Sequence, residues 1–179
     1  MLKNLLIFCA LCLCQIGAMA QDGRHDGLDY SLSLGYDFMT SNEQNDNGSP
    51  AVSIAVGKQF SSTFYFGGRV GAQFPTYSDF GENPLIPIML DARTYIPTSV
   101  NTTPFCDFET GFIYNTAERV GQNGCHYVGF AVMPGLSFKL SDNCALDVSG
   151  GYMHRFRVED RDKGSKGFVT FRVGVRFHK

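Results

Sequence analysis

Hydrophobic and polar residues alternate along most of the chain after residue 27. The clearest example is the stretch 167–179, where every second residue is apolar: Val169, Phe171, Val173, Val175 and Phe177. A strict period of two is typical of a β-strand with one apolar and one polar face. The same pattern recurs in seven earlier segments and predicts eight strands, the first beginning at residue 28 and the last ending at residue 177.

The connections between the predicted strands alternate in length. Two are short (61–62 and 141–143), one is somewhat longer (97–103), and the other four are longer and more polar (40–49, 75–84, 115–124 and 155–166). An even number of strands with this rhythm is typical of barrels that cross the outer membrane, where the short turns face the periplasm. We therefore predict an all-β fold, an eight-stranded antiparallel up-and-down transmembrane β-barrel over residues 28–177.

The charged residues of the predicted strands lie almost entirely between the apolar positions. Five are acidic and five are basic: Asp37, Asp91, Asp107, Glu109 and Asp147 with Arg69, Arg93, Lys139, Arg172 and Arg176. Because charges inside a narrow barrel must be paired, we predict that these ten form a structural charge network and that the lumen is closed. Lys58 is the one full charge on the apolar face, close enough to a short turn for its ammonium to reach the headgroups.

The opposite arrangement is a soluble periplasmic barrel, with the charged face in water and a ligand in an apolar lumen. Eight apolar faces would overfill a small interior, because protein interiors are already close-packed. A strand of about 11 residues tilted by about 40° rises roughly 27 Å, which suits the apolar band of an outer-membrane barrel. We therefore expect the apolar faces to meet lipid.

The first twenty residues have the organisation of a secretory signal peptide. Lys3 precedes an apolar run at 5–13, and Ala18-Met19-Ala20 matches a small-x-small cleavage site. We expect cleavage after Ala20, a flexible periplasmic N-terminus at 21–27, and localisation in the cell outer membrane. Loss of Lys3 changes the formal net charge from −2 to −3, which gives no case for a nucleic-acid partner.

Three cysteines remain beyond the predicted cleavage site: Cys106, Cys125 and Cys144. An odd number cannot pair completely within one chain. The predicted topology places Cys125 near the outer rim and the other two near the periplasmic rim, with the sixth strand between them. We therefore predict no intramolecular disulfide.

Together these features resemble the small outer-membrane β-barrel family, of the eight-stranded OmpA and OmpX kind. The resemblance covers residues 28–177 and rests on the signal peptide, the alternation, the loop rhythm and the terminal VTFRVGVRF strand. It implies a setting of outer-membrane lipids and lipopolysaccharide, an unidentified extracellular partner for the loops, and assembly by the barrel assembly machinery, with Phe177 as the C-terminal assembly signal. His178 and Lys179 depart from the family pattern because they follow that phenylalanine.

Pro134 is a second departure, because it lies within the sixth strand and cannot donate a ladder hydrogen bond. We predict a bulge at Pro134-Gly135.

Two histidines, His126 and His154, are predicted near the outer rim on the lipid-facing parity. Lipid A deacylases and palmitoyltransferases of the same architecture use a histidine-assisted site near the outer leaflet, so a lipid A-modifying enzyme is an alternative function. A deacylase-like His-x-Ser pattern is missing, because no Ser or Thr stands two positions from either histidine. We predict no catalytic residue.

Two further polar segments are assigned to solvent. His25 with Asp22 and Asp26 lies in a polar tail without fixed geometry, so we predict no metal site and no cofactor. The charged segment 155–166 is interpreted as a solvated loop. The predicted function is that of a non-enzymatic integral outer-membrane protein with a closed lumen, whose loops serve interaction or envelope structure.

Overall fold

The computed structural model describes residues 27–40, 48–76, 83–98, 101–116, 126–158 and 165–179. Its elements are β1 (Leu28–Met39), β2 (Gly48–Ser61), β3 (Phe64–Gln73), β4 (Leu85–Tyr95), β5 (Thr102–Asn115), β6 (Tyr127–Ser141), β7 (Cys144–Arg157) and β8 (Lys166–His178). The strands pair in sequence order, and β8 pairs with β1 to close the barrel. The predicted eight-stranded antiparallel barrel is confirmed. No helix among the described residues is long and apolar enough to cross a membrane.

Several predictions fall on residues that lie outside the described ranges. They are the signal peptide with its cleavage site, the N-terminal segment 21–26 with Asp22, His25 and Asp26, and Cys125. Cys106 on β5 and Cys144 on β7 are described, and no disulfide joins them.

The strands are staggered around the barrel by ten residues. Stepping between paired residues leads from Leu28 through Lys58, Phe66, Ala92, Phe108, Val132, Tyr152 and Val169 back to β1 at Phe38. With about 3.3 Å per residue and about 4.8 Å between strands, this stagger corresponds to a strand tilt of about 41° and a backbone radius of about 8 Å. Side chains alone can fill an interior of that width.

The two faces of the sheet are sorted as the alternation predicts. Large apolar side chains cover the outside, where Leu34 is 66% exposed and Phe171 is 54% exposed, whereas Asp91 and Arg155 on the inside are fully buried. This is the reverse of the arrangement that a soluble ligand-binding barrel would need.

The predicted bulge at Pro134-Gly135 is wrong. β6 pairs continuously with β5 through this region, and its pairing with β7 is interrupted at Met133 and Pro134 but resumes at Gly135 in the same register. Pro87 on β4 has the same effect, since β3 pairs with β4 in one register on either side of it. The missing N–H of each proline removes local pairing with one neighbour, and the intact pairing with the other neighbour keeps the strand in register.

The register changes occur instead at the two tightest turns. β2 shifts against β3 between Gln59 and Ser61, and β6 shifts against β7 between Lys139 and Ser141. Both positions lie beside two-residue connections, so each irregularity is confined to the end of a hairpin and leaves the inward and outward parity of the strand unchanged.

Candidate functional site in the barrel lumen

A chain of ion pairs begins at the end of the lumen where the short turns lie. Arg176 on β8 reaches two acids, with Nη1 3.3 Å from Oδ2 of Asp29 and Nε 3.2 Å from Oδ2 of Asp147. Its Nη2 also donates to the Ser137 hydroxyl at 3.0 Å. His178 approaches the second oxygen of Asp29, with Nδ1 and Oδ1 2.5 Å apart. The closing seam between β1 and β8 is therefore held by charged side chains as well as by backbone pairing.

Arg93 continues this series of ion pairs across the lumen. Its Nη1 lies 2.6 Å from Oδ2 of Asp147, and its Nη2 lies 3.1 Å from Oδ2 of Asp107. Arg93 and Asp107 face each other on β4 and β5, whereas Asp147 is on β7. One guanidinium thus ties strands that are three positions apart in the barrel.

The middle of the lumen holds the densest cluster. Arg69 on β3 places Nη2 2.6 Å from Oδ2 of Asp91 and Nε 2.7 Å from Oε1 of Glu109. Both carboxylate oxygens of Glu109 accept hydrogen bonds from Arg172 on β8. Glu109 therefore joins arginines from β3 and β8, with no more than 2% of the acid exposed.

A separate group fills the loop end of the lumen. Arg155 on β7 is fully buried, and its Nη2 lies 2.5 Å from Oδ2 of Asp37 on β1. Gln73 donates from Nε2 to the same oxygen at 2.8 Å. The Arg155 guanidinium also lies 4.0 Å from the centre of the Phe168 ring, a distance suited to a cation–π contact.

Apolar side chains pack around these charges. One buried cluster contains Leu85, Met89, Ile113, Tyr127, Ala131, Met133, Met153 and Phe168, and a second contains Tyr65, Tyr95 and Phe105. The Arg93 guanidinium lies 4.6 Å from the Phe105 ring, and that of Arg176 lies 5.2 Å from the Tyr95 ring. The aromatic rings limit the space left for water around each arginine.

Nine of the ten predicted network residues lie inside the barrel and contact an opposite charge there, whereas Lys139 lies outside the lumen. The Lys139 side chain is 55% exposed, and its ammonium lies 2.7 Å from Oδ1 of Asp142 in the β6–β7 turn. By donating a hydrogen bond, Lys139 holds the pKa of Asp142 below its ordinary value. Alternation placed Lys139 in the lumen, but the residue is two positions from the end of β6, where its side chain is exposed to the short-turn end of the barrel.

Three residues of the lumen were missed from the sequence. Asp29 and His178 sit at opposite strand ends and meet only when the barrel closes. Arg155 was assigned to a solvated loop, but β7 extends to Arg157 and buries it. Its position two residues after Met153 on the inward parity was the available signal, hidden by the charged run that follows.

Three buried acids, Asp91, Asp107 and Glu109, have carboxylate oxygens within 4.8 Å of one another. Such a group can attract a cation, but guanidinium groups already surround it. Arg69 and Arg93 each contact at least one of these acids, so the protein itself supplies the compensating positive charge.

The free space around the network is small. A cavity of about 20 Å³ lies beside Arg69 and Gln73, and another of about 10 Å³ lies beside Arg93 and Asp147. Cavities of this size hold at most about one water molecule each. A wider vestibule of about 410 Å³ lies at the short-turn end and reaches Arg176 and His178.

The two rim histidines take part in aromatic contacts. His126 stacks on Tyr114 with ring centroids 4.7 Å apart, and its Nδ1 accepts from the Asn115 backbone N–H at 3.4 Å. His154 packs against Phe156 and lies 3.1 Å through Nδ1 from the Tyr152 hydroxyl. These partners suit an interfacial band of aromatic and polar side chains.

Several solved structures are similar in fold to this barrel. A crystal structure of Neisserial surface protein A is similar at a TM-score of 0.56, with 13% identity over 84% of this chain and 95% of that one. A designed transmembrane β-barrel is similar at 0.52, with 14% identity over 89% of this chain and 100% of the other. The N-terminal β-barrel domain of Pseudomonas aeruginosa OprF is similar at 0.50, with 12% identity over 83% and 97%.

At these identities the structural likeness establishes the fold alone. Among curated proteins, none matches the chain in sequence. The model of the family described as outer membrane protein beta-barrel domain matches residues 6–177, nearly the whole chain. The chain therefore belongs to the outer membrane protein β-barrel family, and its closed eight-stranded barrel, with apolar side chains outside and charged ones inside, agrees with that description.

Proposed function

We propose that the protein is a non-conducting, non-enzymatic outer-membrane barrel whose lumen network supports the wall and whose loops make contacts at the cell surface. The contact between Arg93 and Asp147 across the lumen carries the closed-lumen part of this proposal. A guanidinium on β4 that meets a carboxylate on β7 occupies the path that an ion would have to take.

The surrounding contacts support the same reading. Arg172 reaches Glu109 from β8 to β5, and the cavities beside Arg69 and Arg93 have volumes of about 20 Å³ and about 10 Å³. Paired charges that are buried together hold their side chains in place, because separating one partner leaves an uncompensated charge. The network therefore acts as internal bracing instead of a permeation path.

Planar bilayer recording tests the closed lumen. The wild-type protein is expected to insert without steady ion conductance, whereas the triple variant Arg93→Ala, Glu109→Ala and Arg172→Ala is expected to conduct. Gel migration of boiled against unboiled samples shows that both proteins are folded. Steady conductance by the wild-type barrel would refute the closed-lumen part of the proposal.

Catalysis at the rim is the alternative that needs a separate test. His126 and His154 are engaged with aromatic side chains or backbone, and their ring contacts are those of interfacial hydrogen-bonding residues. Mass spectrometry of lipid A from cells with and without the gene is expected to show the same acyl pattern. A change in acylation that is lost in His154→Ala or His126→Ala would favour the lipid A-modifying enzyme.

The proposed partners follow from the location of the protein in the outer membrane. Outer-membrane lipids and lipopolysaccharide surround the barrel, the barrel assembly machinery inserts it with Phe177 as the C-terminal signal, and an extracellular partner contacts the loops. Cross-linking from residues introduced into the loops of intact cells tests the last point. Recovery of a loop-specific surface partner would support the interaction function, and its absence would favour a role in envelope structure.

A further inference from the structure

Gly68 differs from the other glycines of the described strands. It faces lipid on β3, and a Cβ added there would find one atom within 4 Å, the carbonyl oxygen of Met89 at 3.9 Å. At each of the other strand glycines that the structure describes, the nearest atom would lie 3.0 Å away or closer. Close packing of neighbouring strands therefore explains those glycines but gives no reason for glycine at residue 68.

The missing side chain opens a groove on the lipid-facing surface. The groove has a volume of about 610 Å³ and is lined mainly by apolar side chains of β2, β3 and β4: Ile54, Val56, Val70, Ile88 and Leu90. Gly68 pairs directly with Val56 on one side and Leu90 on the other, so these two side chains form the walls and the glycine backbone forms the floor.

Lys58 lies beside this groove. It is two residues from Val56 on β2, about 7 Å along the strand towards the short β2–β3 turn, which faces the periplasm in this family. Among the described strands it is the one Lys, Arg, Asp or Glu at a lipid-facing position. Its ammonium lies 6.0 Å from the centre of the Phe60 ring. The lysine side chain is long enough for this ammonium to reach the headgroup layer.

We propose that the groove over Gly68 binds an acyl chain of one anionic phospholipid of the periplasmic leaflet, whose phosphate contacts Lys58. A trough one residue wide between two β-branched or γ-branched side chains matches a single hydrocarbon chain. The flat face of a second barrel would not enter it. The ammonium supplies charge complementarity near the depth where a phosphate lies, because Lys58 is three residues from the end of β2 at Ser61.

Native mass spectrometry tests this site on the mature barrel released from vesicles of equal phosphatidylglycerol and phosphatidylcholine. Wild-type protein is expected to retain one phosphatidylglycerol. Gly68→Leu places a side chain on the floor of the groove, its Cβ 3.9 Å from the nearest atom, and is expected to lower that retention at least ten-fold. Lys58→Met is expected to abolish the preference for phosphatidylglycerol over phosphatidylcholine, and Lys58→Arg is expected to keep it.

Val173→Leu adds one methylene at a lipid-facing position of β8 and serves as the matched control, with retention unchanged. Boiled and unboiled gel migration verifies that each variant is folded. Equal phosphatidylglycerol retention by wild type and Gly68→Leu would overturn the groove, and an unchanged preference in Lys58→Met would overturn the phosphate contact. A dimer that disappears in Gly68→Leu would assign the groove to a second copy and also overturn the lipid site.

Discussion

Arg93 on β4 and Asp147 on β7 meet across the lumen, with Nη1 of the arginine 2.6 Å from Oδ2 of the acid. Asp147 is shared, because Arg176 approaches the same oxygen to 3.2 Å. The three side chains therefore link β4 to β7 and β8 on the other side of the barrel. This sharing makes Asp147 the acid whose loss should disturb the periplasmic half of the lumen most.

Replacing one partner of this pair should destabilise the barrel strongly. Arg93→Met leaves Asp147 and Asp107 with less positive charge in a buried site, and we expect a loss of about 3–5 kcal/mol in the free energy of unfolding. Adding Asp147→Asn to Arg93→Met should cost less than the two single changes together. Urea titration in lipid vesicles, followed by circular dichroism because the chain has no tryptophan, measures these values.

Lys139→Ala is the control for that series. Its ion pair with Asp142 is exposed, so we expect a change within about 0.5 kcal/mol. Equal losses for Arg93→Met and Lys139→Ala would contradict the assignment of bracing to the lumen pairs.

The glycines inside the barrel should be intolerant of a methyl group. A Cβ at Gly151 would lie 2.1 Å from the Val132 carbonyl oxygen and 2.7 Å from the Met133 Cα, so β6 and β7 would have to separate. We expect Gly151→Ala to destabilise the barrel by about 1–3 kcal/mol. The same urea titration applies, and Gly68→Ala, with open space at its Cβ, should be nearly neutral.

Phe177 should be needed for assembly in cells more than for stability. It lies on the lipid-facing side of β8, 51% exposed, and pairs with Tyr30 and Cys144. We expect Phe177→Ala to lower the folded fraction in the outer membrane several-fold while refolding from urea into vesicles stays close to wild type. Both fractions are measured by gel migration of boiled and unboiled samples.

Phe171→Ala is the matched control, because Phe171 is on the same face of the same strand with 54% exposure. If both variants assemble equally in cells, Phe177 is an ordinary lipid-facing side chain and the signal lies elsewhere.

Pro134 interrupts the pairing of β6 with β7 without changing its register, so supplying an N–H should complete the ladder. We expect Pro134→Ala to stabilise the barrel by about 0.5–1 kcal/mol. The new amide should exchange slowly in hydrogen–deuterium exchange. Rapid exchange at that amide would mean that the backbone bends away from β7 at this point.

The alternation, together with the rhythm of connection lengths, was enough to predict the barrel, because a period of two assigns each side chain to lipid or lumen before any pairing is known. The alternation does not predict which charges pair with each other. Arg93 and Asp147 are 54 residues apart, and their meeting depends on the ten-residue stagger, which is fixed by the turns and register shifts together. No single strand carries that information.

The environment of residues at the strand ends was also not predicted from the alternation. Arg155 was assigned to a loop because further charged residues follow it in the sequence, although β7 includes it. Lys139 was assigned to the lumen because the alternation was extended to the end of β6. Parity decides the environment of a side chain only where the sheet is still closed around it. Inward apolar residues such as Met89 and Phe168 break the polar pattern of the lumen face, and their packing in one buried cluster depends on the pairing of strands that are distant in sequence.

Closure of β8 on β1 joins Asp29 and His178, which are 149 residues apart in the chain. β8 therefore completes the pairing of β1, and a chain that lacks β8 leaves both β1 and β7 with unsatisfied edges. Closure of the barrel must wait for β8, and the entropy lost in bringing β1 and β8 together is offset by the strand pairing that forms at closure. A chain that ends before β8 should thus form no closed barrel, and we expect it to aggregate or to be degraded.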